Sequence, residues 1–259
     1  MDILESRAFV INLDVAKDRL ECVLKNISDA GFTSVERISG VHASELSADE
    51  LAEEWARHGS PKIKTDGLPT ILLDYSIGRH GAMLSHLNIW KKIIESNGGE
   101  DEKFTIFEDD AVFHSEWSVL APEFYFVTPK DWDILFLGNQ LQIFDGYGNV
   151  TPIRTNKRVC KLPTFCLHAY VITRSGARKL YEALLTHPDG IYAIDLMLFD
   201  YMRGVLYSAH CGCPFNWYCW NVASYFPCKK LEEADVPLLY RVRNNGMVFQ
   251  DHQYTSFIS

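Results

Sequence analysis

The sequence predicts an α/β fold: a doubly wound sheet sandwiched between helices, in a single domain over residues 1–259. Three observations carry that prediction. Short apolar runs bounded by turns alternate with segments of helical periodicity. The runs are continuously apolar, as in strands covered on both faces of a largely parallel sheet. The chain has 259 residues, 47% hydrophobic and 23% charged, enough to bury one full-sized core, and no internal repeat or linker-like stretch divides it.

The expected strands are Ala8–Leu13, Phe104–Phe107, Asp133–Gly138, Ala169–Thr173 and Val205–Ser208. Between them, Leu20, Val23, Leu24 and Ile27 form an apolar stripe that Gly31 can end. Ser47-Ala48-Asp49-Glu50 reads as a capping box opening a helix towards Arg57. Met83, Leu87, Trp90 and Ile94 recur at helical spacing up to Gly98-Gly99. Ser175 is the expected N-cap of a helix over Gly176–Leu185, with Leu180 and Leu184 turned inwards. The stretches from Asn139 to Lys161 and from Ser208 onwards read as irregular, and such excursions commonly shape clefts.

Composition excludes several classes. Gly 16 and Pro 10 are ordinary, so neither a collagen-like nor a disordered chain fits. With 25 basic against 34 acidic side chains the net charge is −9, which argues against a nucleic-acid coat protein. No run approaches about 18 apolar residues, so no integral membrane segment is expected. Acids precede the first apolar run in MDILESRAFVINL, and that run is short for a secretory signal. A cytoplasmic chain is the expectation, peripheral to a membrane at most. Cys211, Cys213, Cys219 and Cys228 cluster, but their spacing matches no zinc motif.

The chemistry concentrates after the second apolar run, in Glu108-Asp109-Asp110. Along an extended chain Glu108 and Asp110 share one face, with Asp109 pointing away. Two carboxylates on one face make a hard oxygen site for Mg²⁺ or Mn²⁺, and the end of a strand in an open α/β sheet is where ligands bind. The competing reading is a solvated acidic turn. His86 shares helical spacing with Ala82, Ile89 and Ile93, which suits a satisfied core histidine as well as a ligand. Ser85 lacks a G-x-S-x-G elbow and is no hydrolase nucleophile. Asp195 precedes a helical pattern, either as a dipole-paired acid or as a general base. Arg19, Arg174 and Arg178 are candidates to face phosphate, against a default of solvation.

Taken jointly, seven segments resemble glycosyltransferase family 25, the lipooligosaccharide-type and collagen-type galactosyltransferases. They are FVINLDVAKDRL, GRHGAMLSHLNIWKKIIE, FTIFEDDAVF, DWDILFLGN, HAYVITRSGARKL, YAIDLMLFDYM and QDHQYTSFI, in order over residues 8–258. His80, Ala82, Leu167 and Ala193 depart from the family pattern, which commonly has Glu, Cys, Thr and Pro there, and these departures bear on donor and acceptor preference. The resemblance implies a GT-A-like mixed sheet flanked by helices. It also implies inverting, metal-dependent transfer of galactose or glucose from a UDP-sugar to a glycan, glycolipid or protein acceptor. It assigns Glu108 and Asp110 to Mn²⁺ (or Mg²⁺), and Asn12, Arg19, His86 and Asp109 to the donor. Asp195 becomes the base, with His168 and His252 as further groups around the metal. A non-catalytic sugar-nucleotide or glycan-binding protein is the alternative, and a metal-dependent phosphohydrolase built on the same acids is a third reading.

Overall fold

The computed structural model describes residues 3–64, 76–142, 153–154, 158–161, 163–207, 212–220 and 242–250. Strand β1 (Arg7–Asn12) leads into α1 (Lys17–Asp29), and Gly31, at φ +95°, turns the chain towards β2 (Val35–Ser39). Helix α2 (Ala48–Ala56) opens on the expected capping box between Ser47 and Glu50. Next come α3 (Ser76–Glu95), β3 (Lys103–Glu108), β4 (Ala111–Phe113) and α4 (Trp117–Val127). Strands β5 (Ile134–Phe136), β6 (Gly138–Gln142), β7 (Ile153–Arg154), β8 (Val159–Lys161) and β9 (Ala169–Thr173) follow. The rest is α5 (Arg174–Leu185), α6 (Ile194–Tyr207), β10 (Trp217–Trp220), β11 (Val242–Gly246) and β12 (Val248–Gln250).

Eight strands form the central sheet in the order β2-β1-β3-β9-β5-β10-β8-β7. The sheet is mixed: β2, β1 and β3 run parallel, as do β5 and β10, while β9 is antiparallel to both its neighbours. Helices cover both faces. Leu87, Trp90, Leu180 and Met197 of α3, α5 and α6 pack with Phe9, Ile106 and Ile172 on one side. Val23, Ile27 and Phe124 of α1 and α4 pack with Val10, Phe107 and Val171 on the other. This accounts for the unbroken apolar runs, because neither face of a central strand meets water.

Three local expectations are corrected. Val205–Tyr207 end helix α6 instead of starting a strand, and Ser208 lies outside the described residues. The apolar run VLY continues the period of Met197, Leu198 and Met202, which are buried, so the helical period wins over β-propensity. The N-cap of α5 is Thr173, not Ser175: its hydroxyl accepts the Gly176 N–H at 2.9 Å. The described parts of 139–161 and 212–250 carry strands β6 to β8 and β10 to β12 where irregular chain was expected. Three of these join small antiparallel ribbons beside the main sheet, β6 with β11 and β12 with β4.

The topology brings one edge of the sheet together. Residue Ile11 lies opposite Glu108, and Phe107 lies opposite Ala169, so the carboxyl ends of β1 and β3 meet the start of β9. Among the described residues no helix is long and apolar enough to cross a membrane.

Candidate active site

The acid cluster sits where β3 ends. Glu108 is its last residue, and Asp109 and Asp110 form the turn into β4. Because the chain turns there, strand alternation does not hold through Asp109, and it does not point away from the cluster. Its Oδ2 accepts from Asn12 Nδ2 at 2.8 Å, and its Oδ1 meets the Arg19 guanidinium in an ion pair. The same guanidinium lies 3.6 Å from Asp110 Oδ2. All three acids therefore belong to one site, with Arg19, in the first turn of α1, as the cation between two of them.

Each acid is held differently. Glu108 Oε1 meets His86 Nε2 at 3.1 Å, and Asp110 Oδ2 accepts from Gln250 Nε2 at 2.9 Å. Asp110 Oδ1 is buried with no hydrogen-bond partner among the described residues. Burial and then the Glu108 charge push the Asp110 carboxyl up to about 8, against the opposing pull of Gln250 and Arg19. Burial also raises Asp109, with Arg19 and Asn12 acting against it. Glu108 ends below the ordinary glutamate range: burial raises it, but the hydrogen bond from His86 and the positive groups around it outweigh that. Asp195, the second residue of α6, is raised by burial and by Glu108, while its Oδ1 accepts the Leu196 N–H at 2.9 Å. Cys166, at φ +69°, feels the charges of Asp195, Glu108 and Asp110 and is kept a neutral thiol by its burial among them. Carboxylates from β3, its following turn and α6 are therefore close enough to feel one another's charge.

This donor set has the chemistry of a hard-cation site. An orphaned buried carboxylate oxygen and a carboxyl that resists ionisation are both relieved by a divalent ion. Among the described residues no three His, Cys, Asp or Glu side chains converge as a closed metal cage. Glu108 and Asp110 could hold such an ion jointly with phosphate oxygens and water, the usual arrangement for Mg²⁺.

Comparison with known proteins identifies the family. Residues 5–198 match the model for glycosyltransferase family 25 (LPS biosynthesis protein). The chain belongs to this family. It is 27% identical over 252 residues to procollagen galactosyltransferase 1-B of Xenopus laevis, covering 92% of this chain and 36% of that protein. It is 25% identical over 178 residues to procollagen galactosyltransferase 2 of Mus musculus, covering 68% of this chain and 27% of that protein. The chain thus spans about a third of the length of these curated relatives. Among solved structures it is similar to apo mouse xyloside xylosyltransferase 1, at 12% identity and a TM-score of 0.37, over 80% of this chain and 71% of that one. A likeness that distant assigns no residue role.

The segment matched to family 25 contains Asn12, Arg19, His86, the acid cluster and Asp195. Within it Asn12 is 1% exposed, and its amide bonds Asp109, Ala16 O at 2.9 Å and Arg37 Nε at 3.1 Å. Asn12 therefore ties β1 to the start of α1 and aims Asp109. His86 is likewise buried, with both ring nitrogens engaged inside the protein. Ser85 is structural: it donates to Gly81 O and accepts from the Val41 N–H. Of the other arginines, Arg174 is buried against backbone carbonyls and Arg178 pairs with Glu100 on the surface, so neither sits at the acid cluster. His168 Nε2 donates to Val248 O at 3.0 Å, and its backbone carbonyl receives the Glu108 N–H at 2.9 Å. His252 lies outside the described residues, as do Cys211 and Cys228.

Sequence reasoning missed Gln250, Arg37, Tyr170 and Cys166. Gln250 had a signal, since it opens the QDHQ segment, but nothing in spacing brings β12 against Asp110 from 140 positions away.

Proposed function

We propose that this chain moves galactose or glucose from a UDP-sugar to a hydroxyl of a glycan, glycolipid or protein acceptor, with inversion and with Mn²⁺ or Mg²⁺. The observation that carries the reading is the buried Oδ1 of Asp110, without a hydrogen-bond partner among the described residues, in an acid cluster whose Glu108 charge reaches Asp195. Family membership and relatives that are procollagen galactosyltransferases support the reaction class.

In the proposed step the acceptor oxygen bonds to the anomeric carbon as the bond from that carbon to the diphosphate oxygen breaks. The bonding pair leaves with UDP, and the hydroxyl proton passes to the Asp195 carboxylate. Burial and the Glu108 charge make Asp195 a stronger base than an exposed aspartate, and a placed base contributes about 10²–10⁴-fold. Glu108 and Asp110 would hold the metal, which when bound supplies Lewis-acid stabilisation of negative charge on the diphosphate. Asp109 would contact the donor ribose, aimed by Asn12 and neutralised by Arg19. A chain of net charge −9 thereby gains local positive potential where an anionic donor binds.

The test is a panel of nucleotide sugars with Mn²⁺, scored first for donor hydrolysis and then for transfer to glycan and peptide acceptors. A UDP-hexose should be consumed, chelation should abolish turnover, and Mn²⁺ should restore it. Turnover indifferent to chelator, or inorganic phosphate released in place of UDP, would overturn the proposal.

A further inference from the structure

A chain of hydrogen bonds runs inwards from Glu108 through three buried side chains. His86 Nε2 lies 3.1 Å from Glu108 Oε1, His86 Nδ1 lies 2.9 Å from the Tyr170 hydroxyl, and Trp90 Nε1 lies 2.9 Å from the same hydroxyl. His86 and Trp90 stand one turn apart on α3, Tyr170 is the second residue of β9, and its register partner Ile106 lies two residues before Glu108. His86 is 1% exposed, and Trp90 and Tyr170 are fully buried.

Donor and acceptor counting fixes the direction of the chain. The indole N–H of Trp90 can only donate, so the Tyr170 oxygen accepts there. Tyr170 then has one proton left, and His86 Nδ1 is its acceptor. That leaves the His86 proton on Nε2, donated to Glu108. The other tautomer would aim a bare Nε2 lone pair at a carboxylate and strand the Tyr170 proton in an apolar interior, where an unmade bond is costly.

We infer that Tyr170, backed by Trp90, is a positioning residue: it fixes His86 as the Nε2–H tautomer and so holds one oxygen of Glu108 in place. This role rests on the reading of Glu108 as a metal carboxylate. Ligating groups are commonly oriented by such outer partners, whose loss weakens metal binding by about 10–100-fold. The Tyr170 hydroxyl bonds His86 and Trp90, and it reaches Glu108 by hydrogen bonds through His86.

Two measurements on the full chain test this. Isotope-edited imidazole spectra should report His86 as Nε2–H in the wild type, and Tyr170→Phe should shift the Nδ1 signal towards that of a nitrogen without a hydrogen-bond donor. An Nδ1–H tautomer in the wild type would overturn the inference, even if Tyr170→Phe failed to fold. The second measurement is Mn²⁺ affinity with UDP present, followed by the paramagnetic signal of the free ion. Tyr170→Phe strands the Trp90 N–H and should melt earlier, and at a temperature where both proteins are folded it should bind at least about 10-fold more weakly. Equal Mn²⁺ affinity in the two proteins would overturn the positioning role. If the wild type itself binds no Mn²⁺, the proposed metal function falls, while the imidazole spectra still decide the tautomer.

Discussion

Arg174 is buried at the carboxyl end of α3, with its guanidinium against the Glu102 carboxylate. The same group bonds the carbonyls of Ile93, Ser96, Asn97 and Gly99, at the end of α3 and in the turn that follows it. A cation there also complements the negative end of the helix dipole. The side chain locks α3 to the start of α5, and α3 carries His86. Arg174→Met should strip the Ser96 and Asn97 carbonyls and the Glu102 carboxylate of the guanidinium and lower the unfolding free energy by about 1–3 kcal/mol, read from urea melts. An unchanged midpoint would mean that water replaces the guanidinium freely.

What the sequence made legible, and what it hid, follows from the range of each interaction. The capping box of α2 involves Ser47 and Glu50 alone, and its reading needed no tertiary information. The acid cluster was visible because an apolar strand ran directly into it. Its internal division was not, because Glu108 is the last residue with strand geometry and the turn redirects Asp109 towards Asn12 and Arg19, about 90 or more positions earlier. The role of His86 was undecidable in sequence for the same reason: its partner Tyr170 lies 84 positions away. Thr173 and Ser175 are both good caps, and only the backbone of Asp133, whose carbonyl receives the Thr173 N–H at 3.0 Å, selects the former.

Asp110 should trade stability for function. Its carboxyl is pushed up to about 8 in the folded protein, so the fold favours the protonated form. That contribution is present in full below the unfolded value near 3.9 and is lost as pH rises through the folded value. At neutral pH without metal the folded protein therefore holds this carboxyl largely protonated, at a cost relative to the ionised unfolded chain. Asp110→Asn keeps an oxygen for the Gln250 amide and removes that cost. It should raise the metal-free melting midpoint, by about 0.5–2 kcal/mol in free energy, while abolishing the response of transfer to Mn²⁺. Wild-type transfer rates from this variant would remove Asp110 from the site.

Gly138 is a contact point between three elements. A Cβ there would lie 1.8 Å from Val248 O and 2.5 Å from His168 Nε2, two groups that bond each other at 3.0 Å. Gly138→Ala must therefore wedge β12 away from β6, and β12 carries the Gln250 amide that holds Asp110. A loss of about 1–3 kcal/mol in stability is expected, with weaker donor binding alongside it. Unchanged melting and binding would show that the ribbon gives way without strain.

His58 should make stability fall on the acid side of neutrality. It is 5% exposed, with Nε2 3.0 Å from Asn88 Oδ1 and Nδ1 2.9 Å from the Tyr181 hydroxyl, a set that a neutral Nε2–H ring satisfies. Burial holds its pKa below the ordinary histidine value, and His80 is shifted the same way by burial and Arg79. The unfolded chain takes up protons near pH 6.5 that the native state resists, so stability is complete above that value and falls as pH drops through it. Urea midpoints should decline between about pH 7.5 and about pH 5.5, and less steeply in His58→Gln. An equal slope in the variant would assign the dependence elsewhere.

Asp195 offers the sharpest separation of binding from chemistry. Its carboxylate already accepts the Leu196 N–H, and an amide oxygen can accept the same bond, so Asp195→Asn preserves the helix start. What the variant loses is basicity and charge. Donor affinity should persist, because the acids of the β3 end are untouched, while kcat falls about 10²–10⁴-fold. The base must be deprotonated to work, so the wild-type rate should drop as pH falls through a value above the ordinary aspartate range, in the direction set by burial and Glu108. That acid limb should vanish from the residual activity of Asp195→Asn. A variant that transfers sugar at the wild-type rate, or keeps the acid limb, would place the proton acceptor on another residue of the cleft.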